Sequence, residues 1–375
     1  MKYILRDKSV ITGKKDLEHL YTFKNFPVFI GSTDQNQEKD LFADLSLSIC
    51  KGTGVIQLDK VLPLDVVYSG YHSEAIGGIW EEHRTAFLDF ISGYKFDKVL
   101  EIGGGNGSTA KQYLKKRKGV RWTIVEPNPV KVKEKNIKVV PKMFGKDFVL
   151  EEEIDVLVHS HVFEHLYEPR EFLGTISKIL QEGQLHLFSV PNLHAYMRNK
   201  FTNCLNFEHT VFLTEYFIDY LLSLYGLEII DKRYFHEHSI FYATKKTSKP
   251  TTFKFESKYA AYKKLFMDYL GYNIGVINGF NEKVKTFKGD VFLFGAHIFS
   301  QYLLNQGLKS NKIVAILDNS EIKRGRRLYG TKFIIDSPEA IKGIKSVAVI
   351  LKAGAYQDEV RRQLKSINPS VILFE

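Results

Sequence analysis

Val99-Leu100-Glu101-Ile102-Gly103-Gly104-Gly105-Asn106-Gly107 decides the fold. A short apolar run enters a glycine-rich turn, and a helix opens behind it. A second apolar run, Trp122-Thr123-Ile124-Val125, ends about twenty residues later on an acidic residue, Glu126. This is the pattern of a nucleotide-binding crossover. Glycines let the backbone approach a ligand closely, and a carboxylate at the next strand end can take two ribose hydroxyls. The spacing predicts a cofactor site near residue 105.

Outward from that loop, strand and helix alternate over residues 86–245. Strands are expected at Lys98–Ile102, Trp122–Val125, Asp155–His159, Leu185–Val190, Leu227–Tyr234 and Ser239–Ala243. Helices fit Ser108–Lys116, Pro169–Leu180 and Thr214–Tyr225. Such alternation argues for a parallel sheet covered on both faces. Residues 1–85 read as a small irregular region with short apolar runs at Pro27–Ile30 and Val55–Leu58. Residues 246–289 read as a polar linker followed by a helical connection from Glu256 to about Phe287. A second alternation over 290–375 predicts a smaller Rossmann-like domain. The fold class is therefore α/β, with two Rossmann-like units.

Composition bounds the rest. The 375 residues are 44% hydrophobic and 26% charged, ordinary for a globular protein. The net charge of +10 comes from lysines scattered along the chain. The densest basic run, Lys323-Arg324-Gly325-Arg326-Arg327, has no interleaved aromatics and matches no nucleic-acid module, so nucleic acid is not an expected partner. Two cysteines, Cys50 and Cys204, exclude a disulfide framework and suit a cytoplasmic location. No apolar run reaches the roughly 18 residues that span a bilayer, so no membrane association is expected.

The loop Gly103-Gly104-Gly105-Asn106-Gly107 is not a spaced dinucleotide fingerprint. Glu101, two residues before it, suits a cofactor with a cationic end, such as the amino-acid part of S-adenosylmethionine. Glu101 through Gly107 resembles motif I of the class I S-adenosylmethionine-dependent methyltransferases, with Glu126 in the ribose-binding position. Asp155 to Leu166 is similar to that family's fourth strand and following loop. Three further blocks resemble the nucleotide-sugar C-methyltransferases: Phe207-Glu208-His209 with the helix behind it, Gly295-Ala296-His297 through Asp318 to Gly325, and Cys50 with Gly54 to Leu58. That family's N-terminal zinc module needs four thiolate or imidazole ligands. Here the cysteines are lost and no metal is expected. Asn206 and Phe207 replace the family's tyrosine and first histidine, so methyl attachment to carbon rather than oxygen stays open.

The resemblance implies a cytoplasmic methyltransferase that uses S-adenosylmethionine and acts on a small-molecule substrate, a nucleotide-linked sugar. An O-methyltransferase of another metabolite and a non-catalytic scaffold are the other readings. His209 is the expected base, with Glu208 beside it and His165 as a second candidate. A Glu-His pair can equally cap the helix near Thr214. Gly103, Gly105, Gly107, Glu101, Glu126, His159, Ser160 and Tyr71 are expected around the cofactor; His159 and Ser160 fit equally as core groups. Tyr71, His72, Trp80 and His83 read as a lid or as a docking cluster. Gly295, His297, Asp318 and Lys352 are expected at the sugar nucleotide, with Lys323, Arg324, Arg326, Arg327 and Lys352 equally diphosphate partners or solvated turn residues. The C-terminal domain fits equally as a packing unit or the contact of a homodimer.

Overall fold

The computed structural model describes residues 2–69, 78–129, 132–249 and 252–375. The N-terminal region carries β1 (Leu17–Pro27), β2 (Phe42–Cys50) and β3 (Ile56–Leu58), beside the two-residue strands Ile4–Leu5, Ser32–Thr33 and Lys60–Val61. Helix α1 (Gly78–Ser92) leads into the central sheet of β4 (Lys98–Ile102), β5 (Arg121–Val125), β6 (Ile137–Val140), β7 (Val156–Ser160) and β8 (Leu185–Pro191). A short strand β9 (Val211–Phe212) follows, and then β10 (Leu227–Phe235) and β11 (Ser239–Lys246) close that sheet.

The central sheet has the order β10-β11-β8-β7-β4-β5-β6. Its β4–β8 members pair in parallel, whereas β11 runs antiparallel to both β8 and β10. The chain starts in the middle, at β4, builds outward to β6, and returns to place β7 on the other side. The crevice therefore opens where the order reverses, beyond the carboxyl ends of β4 and β7. Buried Val, Leu and Ile fill the strands, as a sheet covered on both faces requires. Helices α2 (Ser108–Lys116), α3 (Pro169–Ile179) and α4 (Glu215–Leu224) lie within a residue or two of their expected ranges.

The N-terminal region is more ordered than the sequence suggested. Its sheet has the order β9-β3-β2-β1, so residues Val211–Phe212 of the presumed core complete it. The expected strand Pro27–Ile30 is instead the end of the long β1 and a bend. Asp16 holds the turn after Cys50, accepting from Gly52 N at 3.0 Å and from the Cys50 thiol at 3.2 Å.

A 28-residue helix, α5 (Tyr259–Thr286), bridges to the C-terminal domain. That domain is a parallel sheet of β12 (Asp290–Phe294), β13 (Ile313–Leu317), β14 (Ile335–Asp336), β15 (Val347–Ile350) and β16 (Ile372–Phe374), in the order β14-β13-β12-β15-β16. One apolar cluster runs from Val10 through Leu100 and Phe217 to Tyr302, joining all three regions. Polar ties reinforce it. Arg327 forms a bidentate pair with buried Asp40 (2.5 and 2.8 Å), and Gln301 donates to Phe29 O and Tyr329 O at 2.9 Å. Arg326 pairs with Asp34 at 3.3 Å. Arg326 and Arg327 thus serve domain docking, a correction to their expected role as diphosphate partners. Among the described residues no helix is long and apolar enough to cross a membrane.

Candidate active site

The glycine loop sits at the end of β4. Gly103 has φ +70, and a Cβ there would lie 2.9 Å from Val162 Cγ2. The close approach ties this loop to the one after β7. Gly107 has φ +72 and caps α2. Over Gly105 there is open space: a Cβ would meet no atom within 4 Å. Gly105 N donates to Glu126 Oε2 at 3.2 Å, and Asn128 N donates to Glu126 Oε1 at 3.1 Å. Loop and carboxylate are therefore in register at one crevice, as expected. The open face over Gly105 beside a carboxylate fits a ribose-bearing donor.

Two expected cofactor residues lie elsewhere. Glu101 is buried beneath the loop, where its Oε2 accepts from Trp122 Nε1 at 2.7 Å. It braces β4 against β5 and does not open onto the crevice. Burial pushes its carboxyl up to about 7, against the pull of the Trp122 and Thr109 hydrogen bonds. His159 is wholly buried among Phe163, Phe172 and Phe188, and its Nε2 lies 2.9 Å from His186 Nε2. In the alternation of β7 it points with Leu157 into the large core, so it is a core group. Ser160 ends the strand with its Oγ 2.6 Å from Ser189 Oγ. Tyr71 and His72 lie outside the described residues. Trp80 packs edge-on against His161 and His238, with ring centroids 4.9 and 4.6 Å apart, while buried His83 stacks on Phe87 of its own helix and docks α1 against Phe235 and Phe241.

The loop after β7 carries the polar cluster. His161 has φ +53, a conformation rare outside glycine, which turns the chain sharply at the sheet edge. Its Nδ1 lies 3.1 Å from Glu164 Oε1 and its Nε2 lies 3.2 Å from Ser239 Oγ, which in turn is 2.6 Å from His238 Nδ1. Burial would raise the Glu164 carboxyl, but the His161 hydrogen bond and the surrounding imidazoles hold it at about 2. His161 and Glu164 were not singled out from the sequence; their three-residue spacing at a strand end was the available signal.

The segment bearing Glu208 and His209 closes on this loop. Asn206 Oδ1 accepts from both Glu208 N and His209 N at 2.8 Å, building the turn that presents them. Thr210 N donates to Glu164 O at 3.0 Å, and Arg6 donates to Thr210 O and Tyr167 O. The His165 and His209 rings lie 5.2 Å apart, and His165 Nδ1 is 3.8 Å from Glu208 Oε2. His209 Nδ1 donates to Cys204 O at 3.1 Å, leaving Nε2 as an acceptor. Burial pulls the His209 imidazole down to about 4, so it is neutral at pH 7. Glu208 and His209 face the crevice loop, and Thr214 caps α4 without a side-chain hydrogen bond.

The C-terminal domain repeats the device of the first. Gly295 has φ +102, and Ala296 N donates to Asp318 Oδ2 at 2.7 Å, as Gly105 N does to Glu126. Lys323 reaches the same carboxylate oxygen at 3.3 Å. Burial lowers His297 to about 4, with Lys323 pulling it further down and Asp318 and Glu208 opposing. Burial lowers Lys352 to about 8; its Nζ lies 3.4 Å from Lys200 O, on the central domain.

A family model described as a methyltransferase domain matches residues 80–232. This stretch is a methyltransferase domain. It spans the glycine loop, Glu126, and the polar cluster from His161 to His209. The expectation of an S-adenosylmethionine-dependent methyltransferase is met at this domain. Among solved structures, the chain is similar to the N-methyltransferase NodS of Bradyrhizobium japonicum WM9, at 16% identity over 45% of this chain and 96% of that one, TM-score 0.34. It is also similar to the 1,6-didemethyltoxoflavin-N1-methyltransferase of Burkholderia thailandensis, at 16% identity over 54% and 96% of the two chains, TM-score 0.38. Human N-acetylserotonin methyltransferase aligns at 18% identity over 45% of this chain and 53% of that one, TM-score 0.39. No curated protein matches the sequence.

Proposed function

We propose that this methyltransferase acts on a sugar carried by a nucleotide, with the sugar beside His165, Glu208 and His209 and the nucleotide on the C-terminal domain. One observation carries the reading: two packed domains each present a glycine loop tied to a carboxylate at the next strand end, the pattern that takes a nucleoside or a phosphate. Gly295, His297, Asp318 and Lys352 form the nucleotide side in this reading. The loop amides around Gly295 suit phosphate oxygens, and Lys352 supplies a cation.

The donor supplies a sulfonium-bound methyl group open to in-line attack. The chain's own residues do the rest. Gly105 and Glu126 hold the donor's sugar. The cluster accepts the acceptor's proton, from a hydroxyl or from a carbon beside a ketone, through His209 Nε2 or the adjacent Glu208 carboxylate. Enclosure by Val162, His165 and the C-terminal loop limits water.

The test is transfer of a labelled methyl group from S-adenosylmethionine to a panel of nucleotide-linked sugars, with NMR of the product. A labelled sugar is expected, and His209→Ala should lower kcat by about 10²–10⁴-fold, the usual worth of a positioned acid–base group. Turnover of free metabolites with none of any nucleotide-linked sugar would overturn the acceptor assignment.

A further inference from the structure

The Glu164, His165 and His209 side chains each bring one ligand-type atom to a common point, all within 4.8 Å of one another. From this geometry we infer that the cluster is a site for a divalent transition-metal ion.

Three independent features point the same way. First, Glu164 is 2% exposed, and its Oε2 is buried with no hydrogen-bond partner. An orphaned carboxylate oxygen in the interior is costly, because the water it gave up is not replaced. Among the described residues no lysine or arginine forms an ion pair with Glu164, and the charged groups acting on it are imidazoles. His165 Nε2 lies 3.8 Å from Oε1, and a cation held by both carboxylate oxygens would give Oε2 the partner it lacks. Second, His209 Nδ1 donates to Cys204 O, which fixes the ring and turns the Nε2 lone pair outward. A backbone carbonyl holding the far nitrogen is the usual support of a ligating histidine. Third, His161 holds the other Glu164 oxygen at 3.1 Å and is itself fixed by Ser239 at 3.2 Å, so the carboxylate cannot swing away. Part-exposed His165 and Glu208 leave an entry path from the crevice.

The donor set names the ion class. Two imidazoles and one carboxylate suit Zn²⁺, Mn²⁺ or Fe²⁺, whereas Mg²⁺ and Ca²⁺ take oxygen donors. Three protein ligands leave positions open, as in catalytic rather than structural sites. An oxygen of the acceptor sugar would fill one. For a hydroxyl acceptor, a cation there would lower the pKa of that hydroxyl, and Glu208 would take its proton as the oxygen attacks the methyl carbon. The new C–O bond forms while the C–S bond breaks, with its electron pair passing to sulfur. With the cation in place His209 is a ligand, and Glu208 is the base. The sugar's place here rests on the function proposed above; the cation site does not.

The experiment uses the full chain after chelator treatment, titrated with Zn²⁺ by calorimetry and with Co²⁺ by visible absorption. One ion per chain is expected, with Co²⁺ bands that both His165→Ala and Glu164→Gln abolish. His165 is part-exposed on a short turn, so its variant should keep the wild-type melting temperature in chelator; Glu164→Gln keeps the side-chain shape. No heat and no Co²⁺ bands in the wild type, or bands unchanged in both variants, would overturn the site. Calorimetry with S-adenosylhomocysteine on the same samples separates the two ideas. Its heat without metal binding sinks the cation alone, and metal binding without its heat supports the cation and sinks the donor site.

Discussion

Glu101→Gln isolates the cost of the charge buried under the glycine loop. The carboxyl is pushed from 4.5 up to about 7 in the folded chain. Below pH 4.5 it is protonated in both folded and unfolded states, and burial costs little. Above pH 7 it is ionised in both, and only the folded state bears the desolvation. Between these limits the folded state binds more protons, so stability falls as pH rises. At about 1.4 kcal/mol per pH unit, the gap amounts to about 3 kcal/mol. Gln is isosteric and still accepts from Trp122 Nε1, but carries no charge. Denaturant unfolding of both proteins, followed by tryptophan fluorescence from pH 4.5 to 8, should show near-equal stability at the acid end. The variant should gain by about 3 kcal/mol at the alkaline end. Other titrating groups cancel in the difference. Parallel profiles would refute the buried-carboxyl argument. Saturating S-adenosylhomocysteine should leave the pH trend in place, since Glu101 faces Trp122 and not the crevice.

Three further outcomes follow from named contacts. Gly103→Ala places a Cβ at φ +70 and 2.9 Å from Val162 Cγ2, which should cost about 1–3 kcal/mol in denaturant unfolding, whereas Gly105→Ala, at φ +51 with no protein neighbour, should lose less packing but set its Cβ in the donor's space and weaken S-adenosylhomocysteine binding in calorimetry the more of the two. Arg327→Ala leaves Asp40 buried and unpaired, so thermal denaturation should register a loss of about 3–5 kcal/mol; Arg327→Lys should not recover it, because the pair is bidentate. Burial lowers His186 from 6.5 to about 3, so folding excludes a proton that the unfolded chain takes up, and stability falls as pH drops below 6.5. His186→Phe should flatten that acid limb in urea unfolding between pH 6.5 and 4.

Most of the central and C-terminal sheets was legible because their inner strands are continuous apolar runs bounded by glycine turns; the short edge strands β6 and β14 were not expected. β4 and the helix Ser108–Lys116 fall where the periodicity puts them. The N-terminal sheet was not. Strand β1 interleaves charged and aromatic residues, and register shifts near His19–Tyr21 and Phe23–Phe26 break its alternation. Strand β2 is stabilised by partners on either side that local pattern cannot name. At the site, Gly105 and Glu126 could be paired from spacing alone, because the crossover fixes them. Glu101 and His159 could not be placed, because a one-residue difference in strand phase decides between crevice and core. The Glu164–His209 contact joins segments more than forty residues apart through β9, which pairs with the N-terminal sheet. No local signal reports such a contact.

Donor binding at the β4 crevice tests the account most directly. Calorimetry of the full chain with S-adenosylhomocysteine should give one site per chain, and Glu126→Ala should weaken it by at least about tenfold, a loss of about 1.4 kcal/mol for a carboxylate holding two hydroxyls. Absence of heat in the wild type, or undiminished affinity in the variant, would contradict it.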